Sequence, residues 1–297
     1  MRTPELKTSI SENNRRNIKS DLIIKNLPST LSSGDGLRVV IQPQHDLRTG
    51  NVLAAEALIR WQHPQIGNIP PTEFLPHLDG MGLESVLFEF VLKCVLDLLC
   101  TLRLLNIECP VAINASASLM ADIKTIKTIE NFLKQAELPA HLLKVEVTED
   151  KPTTNLKALT ENLSQLRADG FCVSMDDFGT GHSTLERLIS LPFSELKIDK
   201  TFITQMLSCA SSHAIVLTSL ELGRKLGLKV VAEGVETNDQ SRLLQHMGCK
   251  YGQGFGLTRP LEMKDFITKI VRTKGSVVND ANHHSKIAPN NKSILLC

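Results

Sequence analysis

At 297 residues the chain is long enough for one large barrel or two smaller domains, and its 42% apolar and 22% charged content is that of an ordinary globular protein. With 33 Lys and Arg against 32 Asp and Glu, no global field draws it to a nucleic-acid polymer or a membrane surface, so an anionic ligand must be held locally. The 7 cysteines are odd in number, scattered and without CxxC spacing, which argues against a structural zinc site and fits reduced thiols in a cytoplasm.

Residues 1–36 are polar, rich in Ser, Asn, Lys and Arg, and close on Ser32-Ser33-Gly34-Asp35-Gly36. This composition predicts a flexible leader or linker. Its basic residues Arg15, Arg16 and Lys19 offer a contact for a regulatory protein partner, although short charged runs are usually plain linker. A domain then runs over 37–272. An apolar strand over 37–42 meets Pro43, and the turn Thr49-Gly50-Asn51 leads into a second strand over 52–61, so the pair is antiparallel. The apolar segment that follows carries Glu89, Lys93 and Asp97 at intervals of four, one polar stripe on a packing helix over 84–105 and no membrane span. Further strands are predicted over 110–114, 143–148, 171–176, 195–198, 228–232 and 250–255. The helices between and after them cover 123–136, 155–169, 184–190, 214–226, 237–247 and 263–272. Strands alternating with helices of this length imply parallel βαβ units. The expected class is therefore α/β, an irregular TIM-like (β/α)8 barrel with an antiparallel first strand. From 273 to 297 Asn, Lys, Ser and His dominate, and disorder is expected. The amino terminus has no signal-peptide pattern, consistent with a cytoplasmic protein.

The centre of the chain is 171–183, an apolar strand that breaks into Asp176-Asp177 and Phe178-Gly179-Thr180-Gly181. Successive side chains on a strand point to opposite faces, so both carboxylates reach one site only if the strand ends there. A solvated acidic turn is the simpler reading of two aspartates alone. The wider pattern argues otherwise, because in a parallel barrel chemistry gathers at the carboxyl ends of the strands. Those ends carry Asn114, Glu146 with Glu149, Asp176 with Asp177, Lys197 with Asp199, Glu233 with Glu236, and Gln253, and Glu56 sits within the second strand. One acidic strand end is usually a helix cap; a cluster of them is repulsive without a cation. Oxygen ligands without a His or Cys cluster favour Mg²⁺ or Mn²⁺, and paired ions of this kind serve phosphodiester chemistry.

These residues also carry a resemblance. Glu56-Ala57-Leu58-Ile59-Arg60-Trp61, Asn114, Val145-Glu146-Val147-Thr148-Glu149, Asp176-Asp177-Phe178-Gly179-Thr180-Gly181, Leu196-Lys197-Ile198-Asp199, Ala232-Glu233-Gly234-Val235-Glu236-Thr237 and Gln253-Gly254-Phe255 resemble, in order and spacing, the successive motifs of the EAL-domain family. That family comprises bacterial phosphodiesterases that linearise cyclic di-GMP to 5′-pGpG. The resemblance implies two divalent cations, Mg²⁺ or Mn²⁺, one held by Glu56, Asn114, Glu146 and Asp176 and the other by Asp176, Asp177 and Glu233. It implies that Lys197 orients and helps activate a water, and that Glu56 and Glu233 are indispensable to turnover. Gln42, Leu58, Arg60 and Gln253 match positions that contact the dinucleotide, Arg60 being suited to a phosphate by its planar fork of donors. Glu149, Asp199 and Glu236 match residues that steady the loop after the aspartate pair and orient the ligands. From the residues alone, Lys197 could be an exposed snorkelling lysine, Arg60 could pair with a neighbouring carboxylate, and Glu149 and Glu236 could be helix-start charges. Ile41, His182 and Lys250 depart from the family's usual residues, none of them at a metal ligand. The resemblance further implies a homodimer. The alternative is a catalytically silent module that binds cyclic di-GMP or a protein; silent members generally lose metal-site residues, and every one is present here.

Overall fold

The structure, a computed structural model, describes residues 4–148, 155–180 and 185–282, with side chains described over 18–148, 155–180 and 185–273. The expected Glu149 and the expected tail beyond 282 lie outside the described residues. The elements run α1 (Pro4–Ser33), β1 (Leu37–Asp46), β2 (Val52–His63), β3 (Gly67–Ile69), α2 (Pro71–Met81), α3 (Glu84–Leu104), β4 (Val111–Ser116), α4 (Ala117–Met120) and α5 (Ile123–Gln135). They continue with β5 (Leu143–Thr148), α6 (Leu156–Ala168), β6 (Cys172–Phe178), α7 (Leu185–Ser190), β7 (Glu195–Ile198), α8 (Lys200–Gln205), α9 (Ala210–Leu226), β8 (Lys229–Ala232), α10 (Asn238–His246), β9 (Tyr251–Gly252), β10 (Leu261–Glu262) and α11 (Met263–Asn282).

Eight strands close into a barrel in the order β1-β9-β8-β7-β6-β5-β4-β2, and the β1–β2 pair completes the ring. From β2 through β4, β5, β6, β7 and β8 to β9 every pairing is parallel; β1 is antiparallel to both of its neighbours, as expected. The alternation of side chains along each strand divides the barrel into an outside and an inside. On β5, Leu143, Val145 and Val147 pack outward in the apolar core while Lys144 and Glu146 are buried within; on β7, Leu196 and Ile198 alternate with Glu195 and Lys197. Layers of branched aliphatics usually fill such a barrel. Here the interior is polar, with Gln42, Gln44, Glu56, Ser174 and Asp176 also buried.

The terminal segments differ from expectation. Residues 4–33 form a helix, and Ile23, Leu27 and Leu31, one turn apart on one face, are buried in the same core as the barrel helices. Lys19, assigned above to a mobile basic leader, pairs with Glu73 of α2 at 2.5 Å. The apolar stripe is only one residue wide, so the Ser, Asn and Lys around it set the average composition. At the other end α11 continues through 273–282 instead of stopping at 272. Among the described residues no helix is long and apolar enough to cross a membrane.

At the base of β1, His45 ties the β1–β2 turn to the loop after β9. Its Nδ1 lies 2.9 Å from the Gly50 carbonyl and its Nε2 3.0 Å from Thr258 Oγ1. Burial, aided by Lys269, outweighs the Gly50 bond and holds the ring below its ordinary pKa. The folded state thus binds fewer protons than the unfolded chain once pH falls below about 6.5, so stability is lost as acid is added. His45's own contribution to the unfolding free energy, read from urea titrations of the parent and His45→Gln, is therefore expected to fall between pH 7 and 5 by at most about 1.4 kcal/mol per pH unit. His45→Gln should flatten that slope; an unchanged slope would contradict the assignment.

Candidate active site

Lys197 is placed inside the barrel by the alternation of β7, and its side chain is 1% exposed, so it is no snorkelling surface lysine. Its Nζ lies 2.7 Å from Glu233 Oε1, 2.8 Å from Glu146 Oε2, 3.0 Å from Asp176 Oδ1 and 3.5 Å from Glu56 Oε2. Four residues distant in sequence therefore meet on one ammonium. Glu56 is further fixed by Asn114 Nδ2, which donates to its Oε1 at 2.8 Å, and by Gln253 Nε2, which donates to Oε2 at 2.6 Å. Gly254 makes that last contact possible: a Cβ there would stand 2.3 Å from the Val235 nitrogen, whose N–H bonds to the Gln253 carbonyl.

The aspartate pair converges by a different device from the one expected. β6 does not stop at Asp176 but runs on to Phe178, and its register against β7 shifts between Met175 and Phe178. This bulge sets two residues against one on the partner strand. Asp177 takes a left-handed φ of 50°, uncommon for a residue other than glycine, and its N–H donates to Asp176 Oδ1 at 3.0 Å. Gly179 follows with φ 97°, where a Cβ would lie 2.6 Å from the Phe202 ring. As a result Asp176, Asp177 and Glu233 each present an oxygen within 4.8 Å of the others.

One ammonium cannot neutralise so many carboxylates, and their proton affinities record the excess. Burial, reinforced by Asp176 and Glu56 against the pull of Lys197, pushes Glu233 up to about 8. Partial desolvation together with Asp176 and Asp199 raises Asp177 to about 7. Burial drives Glu146 well above the usual carboxylate range despite Lys197. Glu56 is the exception: burial pushes it up, but Lys197 and the bonds from Asn114 and Gln253 prevail and hold it below its ordinary value. Burial opposes the charge on Lys197, yet the surrounding carboxylates raise its pKa well above the lysine norm.

The donor set fits divalent cations. Glu146 Oε1 is buried with no hydrogen-bond partner among the described residues, a costly state that a cation would relieve. Every candidate ligand supplies oxygen, as Mg²⁺ or Mn²⁺ requires.

The remaining expected residues divide. Gln42 stands opposite Glu56 in the β1–β2 register, and its Nε2 reaches the Thr258 carbonyl at 3.4 Å. Leu58 and Arg60 follow Glu56 on the same face of β2, both half-buried; the Arg60 guanidinium donates to the Ile59 carbonyl at 2.7 Å and feels the Glu56 charge. Asp199 caps α8 by accepting from the Thr201 N–H at 2.9 Å and stands beside Asp177. Glu236 is exposed; its N–H is held by Gln240 Oε1 at 2.7 Å, and its carboxylate is not part of the cluster. Sequence reasoning missed the polar tier beneath the site, Gln44, Lys144 and Glu195. Period-two spacing was the available clue, since Lys144 precedes Glu146 and Glu195 precedes Lys197 by two residues on otherwise apolar strands.

A closed eight-stranded α/β barrel with an acidic, oxygen-rich cluster joined by a buried lysine defines the class as a TIM-like barrel with an acidic mouth. The EAL domain model matches residues 24–260, and the chain belongs to that family. The match begins inside α1, within the segment read above as a leader. The chain is similar to the cyclic di-GMP phosphodiesterase RocR of Pseudomonas aeruginosa, 31% identical over 258 residues that cover 85% of this chain and 66% of that protein. It is also similar to the bifunctional diguanylate cyclase/cyclic di-GMP phosphodiesterase MucR of the same organism, 39% identical over 235 residues, 77% of this chain and 34% of that one. The chain thus spans between about a third and two thirds of the length of these curated relatives. A solved structure described as the PaMucR phosphodiesterase in complex with c-di-GMP superposes with a TM-score of 0.76 at 37% identity, over 82% of this chain and 99% of that one.

Lys197→Met strands four carboxylates around an apolar side chain. In metal-free protein at pH 8 it is expected to cost about 3 kcal/mol or more of stability. The loss should shrink as pH falls, because the stranded carboxylates take up protons in the folded state. Thermal unfolding across pH 6 to 8 checks this, and an unchanged melting temperature at pH 8 would contradict it.

Proposed function

We propose that the chain is a metal-dependent phosphodiesterase that hydrolyses cyclic di-GMP to linear 5′-pGpG. The observation that carries the reading is the meeting of Glu56, Glu146, Asp176 and Glu233 on buried Lys197, with Asp177 beside them, at the carboxyl ends of the barrel strands. The names of the two curated relatives and the described ligand of the solved structure support the choice of substrate.

In this reading Glu56, Asn114, Glu146 and Asp176 hold one Mg²⁺ or Mn²⁺, and Asp176, Asp177 and Glu233 hold a second. Bound there, the ions supply Lewis acidity toward the phosphodiester and lower the pKa of a water. Lys197 is a donor-only ammonium; it orients the attacking water by hydrogen bonding and offsets charge that develops at phosphorus. Arg60, on the same face of β2 as Glu56, takes a non-bridging phosphate oxygen with its planar donors, while Gln42, Leu58 and Gln253 line the floor under the dinucleotide. Water oxygen bonds to phosphorus, the bond from phosphorus to the 3′ oxygen breaks, and one proton of the water ends on that oxygen. Asp199 steadies the turn after Asp177 through its cap on α8; Glu149 and Glu236 act on the surrounding loops. A homodimer in the cytoplasm, with a regulatory partner reached through α1, completes the proposal.

The test is hydrolysis of cyclic di-GMP with Mg²⁺, Mn²⁺ or Ca²⁺, followed by separation of the nucleotides. Linear pGpG is expected with Mg²⁺ or Mn²⁺ and none after chelation. Glu56→Ala and Glu233→Ala should each lower kcat by about 100-fold or more, the scale of a lost interaction worth several kcal/mol in the transition state. Tight binding of cyclic di-GMP without product would overturn hydrolysis in favour of a binding module.

A further inference from the structure

We propose that Gln44, anchored from below by the Lys144–Glu195 ion pair, is a positioning residue for the active centre that acts through Gln253 on Glu56. The inference rests on the metal-centre reading given above. Lys144 Nζ lies 2.5 Å from Glu195 Oε1 and donates to Gln44 Oε1 at 3.1 Å. Gln44 Nε2 donates to Gln253 Oε1 at 3.0 Å, and Gln253 Nε2 donates to Glu56 Oε2 at 2.6 Å. All five side chains are buried, which limits the exchange of these partners for bulk water.

The direction of this chain is dictated by its two ends. An ammonium only donates and an ionised carboxylate only accepts, whereas each amide between them has one donating and one accepting end. One arrangement satisfies every contact: Gln44 turns its oxygen to Lys144 and its nitrogen to Gln253, and Gln253 turns its oxygen to Gln44 and its nitrogen to Glu56. Reversing either amide sets oxygen against oxygen or nitrogen against nitrogen in a buried site, at a cost comparable to an unsatisfied hydrogen bond. Lys144 therefore determines, at two removes, which face Gln253 shows to Glu56. The fixed amide, with Asn114 on the other oxygen, holds the Glu56 carboxylate at one rotation about its axis.

Packing alone does not supply this constraint. Gln44 stands across the β1–β2 ladder from Ala54, whose methyl group offers no barrier to rotation. Below it a cavity of about 70 Å³, lined by Lys144, Glu195, Cys172, Lys229 and Tyr251 among others, opens at the amino end of the barrel. Without Lys144 the Gln44 amide has room to turn.

Partners that orient metal ligands typically change metal affinity or activity by about 10-fold to 100-fold when removed. The experiment compares the parent with Gln44→Leu, Gln44→Glu, Lys144→Met and Cys172→Ala, the last lining the same cavity outside the chain of bonds. Mn²⁺ binding to metal-free protein is measured by isothermal titration calorimetry, beside kcat for cyclic di-GMP and the melting temperature. Gln44→Leu and Lys144→Met are expected to weaken Mn²⁺ binding by about 10-fold to 100-fold and to lower kcat in step, with Cys172→Ala within about twofold of the parent. Gln44→Glu, matched in size but unable to donate to Gln253, should behave like Gln44→Leu and serves where the latter does not fold. Parent-like Mn²⁺ affinity in the folded Gln44 variants, an equal loss in Cys172→Ala, or failure of both Gln44 variants to fold would overturn the proposal. Absence of Mn²⁺ binding by the parent would instead remove the metal-centre reading, and this inference with it.

Discussion

The structure depends on one arrangement of charge, the Lys197 ammonium enclosed by the carboxylates of Glu56, Glu146, Asp176 and Glu233. None of these groups could be buried alone, because an unpaired charge in a protein interior is either neutralised or destabilising. Together they form a set whose members come from β2, β5, β6, β7 and the turn after β8. A barrel is suited to hold such a set, since parallel strands deliver one inward side chain each at a common height. The excess of negative charge that one lysine leaves uncompensated makes the mouth receptive to further cations.

Beneath the site, Lys144, Glu195, Gln44 and Gln253 repeat the same logic on a smaller scale, each side chain paired with or bonded to the next. Stability comes chiefly from the other face of the strands. Leu143, Val145, Val147, Leu196 and Ile198 pack outward in one continuous apolar core shared with the helices, including Ile23, Leu27 and Leu31 of α1. Apolar packing thus supports the wall, and pairing supports the interior. In that division the interior residues are free to be chosen for chemistry, provided that each has its partner.

Much of this was legible in the chain itself. Apolar strands ending in Asn114, Glu146, Asp176 and Lys197 gave away both the barrel and its rim, because a strand's period and its terminal polar residue are local properties. Local reasoning failed where the answer lay in tertiary structure. The stripe of Ile23, Leu27 and Leu31 is an ordinary helical pattern hidden by polar neighbours, and only the surface of α2 and α3 makes it worth burying. The left-handed Asp177 could not be read from Asp-Asp, since the bulge is set by pairing with β7. Asp199 is a helix cap as well as a neighbour of Asp177, whereas Glu236, which looked equivalent in sequence, is exposed and outside the cluster.

The central claim is that oxygen ligands from separate strands converge at this mouth to hold divalent ions beside Lys197. A crystal of the protein soaked in Mn²⁺ and recorded at a wavelength where manganese scatters anomalously tests it most directly. The account predicts anomalous density enclosed by Asp176, Asp177 and Glu233 and by Glu56, Asn114 and Glu146. Peaks confined to other surfaces, or none at all at saturating Mn²⁺, would contradict it.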